Sequence, residues 1–407
     1  MQPLQMDYDL AVIGGGMVGM SLAIGAAQLG LNVAVVDRQQ LSSQLDAAYD
    51  GRVSAIAAGS ARLLESIGVW QAMQPHGEPI LDIRVIDGHS RAFLHYDHRE
   101  VGSAPFGHIL ENPHIRSALH EAAREQRGLT LLETTSVAAM DGEQGCRTLT
   151  VTGSHAGKLR CKLLVAADGK RSQIRQMAGI GVTSWPYRQI AIVCTIEHEA
   201  PHHGLALECF YPAGPFAVLP MQRNRSSLVW VEPDDRAAIY LALSDAELIS
   251  EISERLGDYL GAVTHVSHRF SYPLSLMHAR RMTDERFALA GDAAHGMHPI
   301  AGQGVNLGFR DVAVLLELLE SQHALGLDIG AASLLSHYAR WRAFDNVAML
   351  AATDGINRLF SNDIAPIRWA RSLGLLGVSK LPQMKRFFML HAMGLTGDLP
   401  RRMQRAA

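Results

Sequence analysis

The segment GDAAHGMHPIAGQGVNLGFRD, residues 291–311, sets five glycines, two histidines and a proline directly before an apolar helical pattern. Its residues offer two kinds of chemistry. Asp292, His295 and His298 are metal-ligating types spaced three apart, but Gly296 and Pro299 disfavour the helix that would turn them to one face, so no metal is expected. The ordinary role for His295 and His298 is that of hydrogen-bonded structural histidines. The other chemistry belongs to the backbone. From Gly302 through Asn306 the chain presents N–H groups at a helix N-terminus, where negative charge is stabilised. Asp292 follows a short strand pattern (Phe287 to Ala290) and is placed to accept a ribose or ribitol hydroxyl. Bare glycine backbone lets a large group lie against it.

A second stretch asks for the same kind of ligand. DLAVIGGGMVGMSLAIGAAQLGLNVAVVD reads as a buried strand, a glycine turn, a helix and a second strand. Gly14 makes the turn, Gly16 admits a pyrophosphate, and Gly19 lets the helix lie close to the strand. Asp37, 21 residues after Gly16, ends the second strand where a carboxylate accepts ribose hydroxyls; Arg38 beside it is either a cofactor contact or a solvated charge. The motif does not separate NAD, NADP and FAD. Leu10 to Val36 carries no charge and is long enough to span a bilayer, but six internal glycines and β-branched runs at both ends favour strand–turn–helix–strand. A third stretch, KLLVAADGKRSQIRQMAGI, ends a strand at Asp168-Gly169 and places Ser172 and Arg175 on a short helix; alone it is equally a common turn signal.

The elements that position these stretches belong to a chain of 407 residues, enough for two or three domains. With 48% apolar and 19% charged residues and a net charge of −3, nothing points to nucleic acid. Four dispersed cysteines suit a reducing cytoplasm, and the first residues lack the basic region of a secretory signal.

Together the three motifs resemble the single-component FAD-dependent aromatic hydroxylases (class A flavoprotein monooxygenases). DGRVSAIAAGSARLLESIGVW, the 291–308 segment and LPQMKRFFMLHAMG look like their ubiquinone-biosynthesis branch. The resemblance covers nearly the whole chain. It implies an α/β fold: a Rossmann-like FAD-binding domain like that of para-hydroxybenzoate hydroxylase, an inserted antiparallel β-sheet substrate domain and a helical C-terminus. It also implies that Gly14, Gly16, Val18, Gly19, Asp37, Arg38, Asp168, Arg175, Gly291, Asp292, Gly302, Gly304, Val305 and Asn306 serve the cofactor. Arg52 would reach the pyrophosphate region, Asn112 and Arg116 would make polar contacts, Val137 would meet the adenine through its backbone, and Pro299 would pack near the flavin ring.

On this reading residues 1–80, 108–184 and 273–330 bind FAD, 81–107 and 185–272 form the substrate domain, and 331–407 is helical. β-rich runs in 188–232 and a capped helix starting at Ser244 suggest a sheet roofing the flavin, with Tyr211, Phe216 and Trp230 as candidate pocket residues. The tail 364–407 carries +7 and the rest of the chain −10. It either docks on anionic lipid or a partner protein, or packs on its own domain with a solvated basic face; the location expected is cytoplasmic, peripheral at the inner membrane face.

The resemblance further implies a reaction in which NADH or NADPH reduces FAD, O2 yields a flavin C4a-hydroperoxide, and the ring of a polyprenylated phenol is hydroxylated in ubiquinone biosynthesis. The cofactor carries the hard step. No catalytic acid or base is identifiable; His298 and Tyr211 are candidates. Hydroxylation of another aromatic compound, a lipid reductase that does not use O2, and an FAD-stabilised scaffold remain alternatives.

Overall fold

A computed structural model describes residues 4–46, 51–88, 93–143, 145–298, 302, 304–360, 371, 374, 377–378 and 380–404. The uncharged N-terminal stretch becomes the strand Leu4–Ile13, the helix Met17–Gln28 and the strand Val33–Val36. The two strands pair in parallel, and Leu10, Ala11 and Val12 are wholly buried along with Val33 and Ala34. The helix is buried around most of its circumference, so its residues show little amphipathic pattern; it is a core helix, not a membrane span.

Around these strands lies the first sheet, ordered Thr283–Asp284, Phe287–Leu289, Gly157–Ala166, Leu4–Ile13, Val33–Val36, Leu129–Leu132. An antiparallel hairpin, Thr135–Glu143 and Cys146–Gly153, extends it from Gly157–Ala166. Strands from widely separated parts of the chain thus build one parallel core, with the helices Met17–Gln28 and Gly304–Ala324 packed against each other on it.

The second sheet runs His295–Gly296, Phe270–Ala279, Val182–His198, Arg225–Pro233, Gly214–Met221, Leu205–Tyr211, Asp82–Asp87, Phe93–Asp97, with Val263–Val266 also paired to Val182–His198. It is antiparallel except where Leu205–Tyr211 meets Asp82–Asp87 in parallel. Phe270–Ala279 belongs wholly to this sheet, so the boundary expected at 273 falls inside a strand. The helices Asp234–Ala242 and Asp245–Leu256 cover its outer face, the latter begun by a complete capping box in which Ser244 and Glu247 satisfy each other's backbone N–H groups. A small third sheet, Val53–Ala57, Gly107–Glu111 and Glu78–Ile80, bridges the two. This α/β architecture with an inserted, mainly antiparallel sheet and a helical C-terminus is the one expected.

The C-terminal helices are part of the body. Ala332–Phe360 buries Leu334, Leu335 and Tyr338 in the main core, and the Tyr338 hydroxyl donates to the Leu289 carbonyl at 2.8 Å. Pro382–Ala392 buries Met389 against Leu94, Tyr96 and Phe106. Among the described residues no helix is long and apolar enough to cross a membrane.

Candidate active site

A cavity of about 600 Å³ opens between the carboxyl edge of the first sheet and the inner face of the second, the position where open α/β sheets bind ligands. Gly14 takes the left-handed φ of 105° that its turn demands. A Cβ on Gly19 would stand 2.0 Å from the Gly14 carbonyl, whereas one on Gly16 would meet nothing within 4 Å. Gly19 therefore serves helix-to-strand approach, and Gly16 presents bare backbone to the cavity. Asp37 holds the turn from the next strand: its Oδ2 accepts the Gly15 N–H at 2.6 Å and its Oδ1 the Gln39 N–H at 2.8 Å.

Val18, Arg38, Arg52, Asn112, Arg116 and Val137 also line this cavity. Asn112 accepts the Ser54 hydroxyl at 2.7 Å, and its N–H donates to the Arg52 carbonyl at 3.1 Å, so helix Asn112–Glu125 and strand Val53–Ala57 are fixed together. Arg116 donates to the Gln44 carbonyl at 3.3 Å. The Arg52 guanidinium lies over the Tyr272 ring at 4.7 Å, linking the first domain to the second sheet.

Asp168 ends the strand Gly157–Ala166 with Oδ2 accepting the N–H groups of Gln173 (2.9 Å) and Ile174 (3.4 Å), while Oδ1 is buried with no hydrogen-bond partner among the described residues. Burial raises its pKa above the usual carboxylate value, against the hydrogen bonds from Ser172 and the backbone. Asp168 lines the cavity, so this unpartnered oxygen lies on a residue of its wall. Arg175, expected at the cofactor, does not line the cavity. It is buried, donating to the carbonyls of Ala293 (2.7 Å) and Lys170 (3.0 Å), and so joins the Asp168 stretch to the 291–311 segment.

Asp292 lines the cavity with Gly302, Gly304 and Val305, whereas the preceding glycine faces inward. The Gly291 N–H donates to Asp311 Oδ2 at 2.9 Å. Asn306, also expected at the cofactor, instead clamps the wall: it accepts the Ala57 N–H at 2.9 Å and donates to the carbonyls of Ala55 (2.8 Å) and Gly302 (3.3 Å). The side chains that a metal reading would converge point apart, because Asp292 faces the cavity while His295 turns to Asp311. No metal-binding group of His, Cys, Asp or Glu occurs among the described residues. His298 is fully buried against Tyr187, away from the cavity wall, and burial pushes its pKa down to about 4. This candidate catalytic histidine therefore does not line the cavity. Pro299 lies outside the described residues.

Tyr211, Phe216 and Trp230 are corrected as well. All three belong to the cluster on the outer face of the second sheet, packed beneath helices through Leu248 and Ile252. Strand alternation sends their neighbours inward: Ala217, Val229, Glu208, Leu219 and Ser227 line the cavity. The bulky aromatic pattern marked the sheet's covered back, and the small residues marked its active face. Lys170, Glu208, Asp311 and Arg342 were not anticipated. Glu208 alone left a trace, an acid at an inward position of an otherwise apolar strand.

The FAD binding domain family matches residues 7–344. A ubiquinone hydroxylase, UbiL, of Rhodospirillum rubrum is 48% identical over 98% of this chain and 92% of its own length. The chain belongs to the FAD-dependent ubiquinone hydroxylase family. Within that family the 3-demethoxyubiquinol 3-hydroxylase of Escherichia coli is 35% identical, covering 95% of this chain and 98% of its own. The human mitochondrial ubiquinone biosynthesis monooxygenase COQ6 is 31% identical over 95% of this chain and 92% of its own. Among solved structures, the p-nitrophenol 4-monooxygenase PnpA of Pseudomonas putida superposes with a TM-score of 0.80 at 20% identity, over 97% of this chain and 99% of that one, and shows the shared fold. As a family member the protein is an aromatic-ring hydroxylase with FAD as its cofactor, and its residues fit that group: open backbone at Gly16, the strand-end carboxylate of Asp37 on the cavity wall, an unpaired oxygen on Asp168 and a helix N-terminus at Gly304.

Proposed function

We propose that this protein hydroxylates the aromatic ring of a polyprenylated phenol on the route to ubiquinone, taking electrons from NADH or NADPH and oxygen from O2. One observation carries the reading: a single cavity joins the dinucleotide edge, with Gly14, Gly16 and Asp37, to a sheet floor of Ala191, Val193, Ala217 and Val229. FAD held along the first end would leave the apolar floor at the other open to an aromatic ring. Bound FAD supplies the redox chemistry and the activation of O2. The chain's own residues bind, orient and exclude water. Gly16 and the Gly304 helix terminus take the pyrophosphate and the electron-rich part of the flavin, Asp37 takes the adenosine ribose, and Asp168 and Asp292 take polar groups between them. Arg52, Asn112 and Arg116 line the same passage, with Val137 at its adenine end.

The protein meets the inner face of the membrane, from which a prenylated substrate is drawn, through its C-terminal segment. Supporting this, helix Pro382–Ala392 exposes Met384, Phe387 and Phe388, with Leu381 just before it. Exposed Lys380 and Arg386 flank them.

The test is turnover by the purified protein. With FAD, NADH or NADPH, O2 and a prenylated phenol, the organic product should gain one oxygen atom by mass spectrometry. Reductant consumed without oxygenated product, or equally well without O2, would reject the reading. Asp292→Ala should purify largely without flavin.

A further inference from the structure

Glu208 is the one carboxylate on the cavity face of the second sheet's central strands, and its setting is unusual. It lies on the strand Leu205–Tyr211, opposite Ala217; Ala217 lies opposite Val229, and Val229 opposite Val193. These four form a row across four strands, and all four line the cavity. The flanking Leu207 and Cys209 point the other way, into the outer apolar cluster, so register fixes Glu208 toward the cavity. Its carboxylate has no hydrogen bond or ion pair among the described residues.

The charged groups nearby are engaged elsewhere or stand off. On the adjacent strand Asp82 pairs with His95, Asp87 with Arg371, and Arg84 lies over Phe93. Around the cavity are Arg52, Lys170, Arg171, Tyr272 and Asp292; Arg52 sits over Tyr272, and Lys170 donates to the Ser275 carbonyl. The thiol of Cys209, next in the chain, is pushed up to about 12 by burial and by Glu208 itself, and stays neutral.

Keeping a bare carboxyl in such a place costs stability, and a cost retained at a cavity wall marks a site that a ligand completes. We infer that Glu208 is a catalytic residue: it receives the phenolic hydroxyl of the substrate and takes its proton as the ring is oxygenated. The inference rests on the reaction proposed above and names the group that acts on the ring. The phenolic O–H bond breaks and its proton moves to a Glu208 oxygen. The electron pair stays on the phenolic oxygen and enriches the ring carbons ortho and para to it. The new C–O bond takes its oxygen from O2, whose other atom leaves as water with the two electrons of NADH or NADPH; the hydrogen at that ring carbon departs as a proton to water, and the Glu208 acid returns its own proton to the phenolic oxygen, so Glu208 ends as it began. Burial pushes Glu208 up to about 8, nearer to a phenol's value of about 10, and matched acids and bases exchange protons most effectively.

The test uses the FAD-loaded full chain with 2-geranylphenol as probe. For the wild type, kcat/KM should rise with pH through about 8, because only the ionised carboxylate accepts the proton. Glu208→Gln should lower kcat by about 10²- to 10⁴-fold and lose that pH limb, keep its FAD, and melt no lower than the wild type. Glu208→Asp should restore part of the rate. In the oxidised protein without reductant, the probe should bind the wild type more tightly as pH rises through about 8, where the carboxylate accepts the phenolic O–H, and should bind Glu208→Gln with no such pH dependence. Turnover by Glu208→Gln at the wild-type rate with the same pH profile would overturn the assignment while leaving the proposed function standing. If the wild type does not oxygenate the probe, the proposed function fails, and the pH dependence of probe binding decides Glu208 by itself: present only with the carboxylate, it supports the assignment; equal in both proteins, it overturns it.

Discussion

His295 Nε2 lies 2.7 Å from Asp311 Oδ2, with both side chains fully buried. An ionised Asp accepts only, so His295 donates through Nε2. The same carboxylate takes the Gly291 N–H on Oδ2 and Arg342 Nε on Oδ1 at 2.6 Å. One side chain therefore ties the glycine turn before Asp292 to the helix Gly304–Ala324, on which it sits, and to the helix Ala332–Phe360, which carries Arg342.

Burial alone would raise the pKa of Asp311, but His295 and Arg342 outweigh it and hold the carboxyl below its usual 3.8. A depressed carboxylate adds stability above its unfolded value, and that stability is lost as pH falls through the folded value. Asp311→Asn leaves Arg342 buried beside a neutral partner, so it should cost about 3–5 kcal/mol at pH 7 in denaturant melts of the flavin-free protein. The gap from wild type should narrow below about pH 3.8. A loss under 1 kcal/mol would show that the network contributes little.

His298 produces the opposite kind of pH dependence. Its folded value of about 4 lies below the ordinary 6.5. Above pH 6.5 both states are neutral there and nothing is lost. Between 6.5 and 4 the unfolded chain takes a proton that the folded protein refuses, so stability declines by about 3 kcal/mol across that window. The stability difference between His298→Asn and wild type should shift by that amount from pH 7 to pH 4 in the variant's favour. A constant difference would place the histidine in a more polar setting.

The first glycines separate packing from ligand contact. Gly19→Ala forces a Cβ onto the Gly14 carbonyl and should lower stability by about 1–3 kcal/mol without any ligand. Gly16→Ala should leave the flavin-free melting temperature nearly unchanged and weaken FAD binding, read by fluorescence titration. Equal FAD affinity in Gly16→Ala and wild type would move the pyrophosphate away from this turn.

Membrane contact through the C-terminal helix should depend on its exposed aromatics. Phe387→Ser with Phe388→Ser should weaken binding to anionic vesicles by tenfold or more, since each buried Phe contributes about 1.5–3 kcal/mol, and added salt should weaken the wild type as well. Unchanged co-sedimentation would assign the patch to another partner.

The cofactor side of the site was legible because its chemistry demands glycine at fixed spacings and acids at strand ends: Gly14, Gly16, Asp37, Asp168 and Asp292 all reach one cavity. The side chains that knit the motifs together were not. Arg175 and Asn306 sit within recognisable motifs, yet their partners, Ala293 and Ala57, lie more than a hundred residues away in the chain. Nothing local distinguishes a side chain that touches a ligand from one that holds the loop that does. The sheet floor failed for a different reason. A strand signals two faces without saying which is covered by helices, and the larger aromatics went to the covered face. The basic tail was half legible: Lys385 pairs with Glu100, Arg401 with Glu317 and Arg402 with Glu320, while the aromatic patch stays exposed.

Met403 is almost fully buried in the same core as the first strand, and the Arg401 N–H donates to Glu317 on the helix behind the glycine-rich loop. The nucleotide-binding core is thus completed by contacts of very high sequence separation, which reach back from residues 401 and 403 toward its first strand. Contacts of such separation carry a large loop-closure cost, so they favour slow completion of the fold and leave partly folded chains open to association.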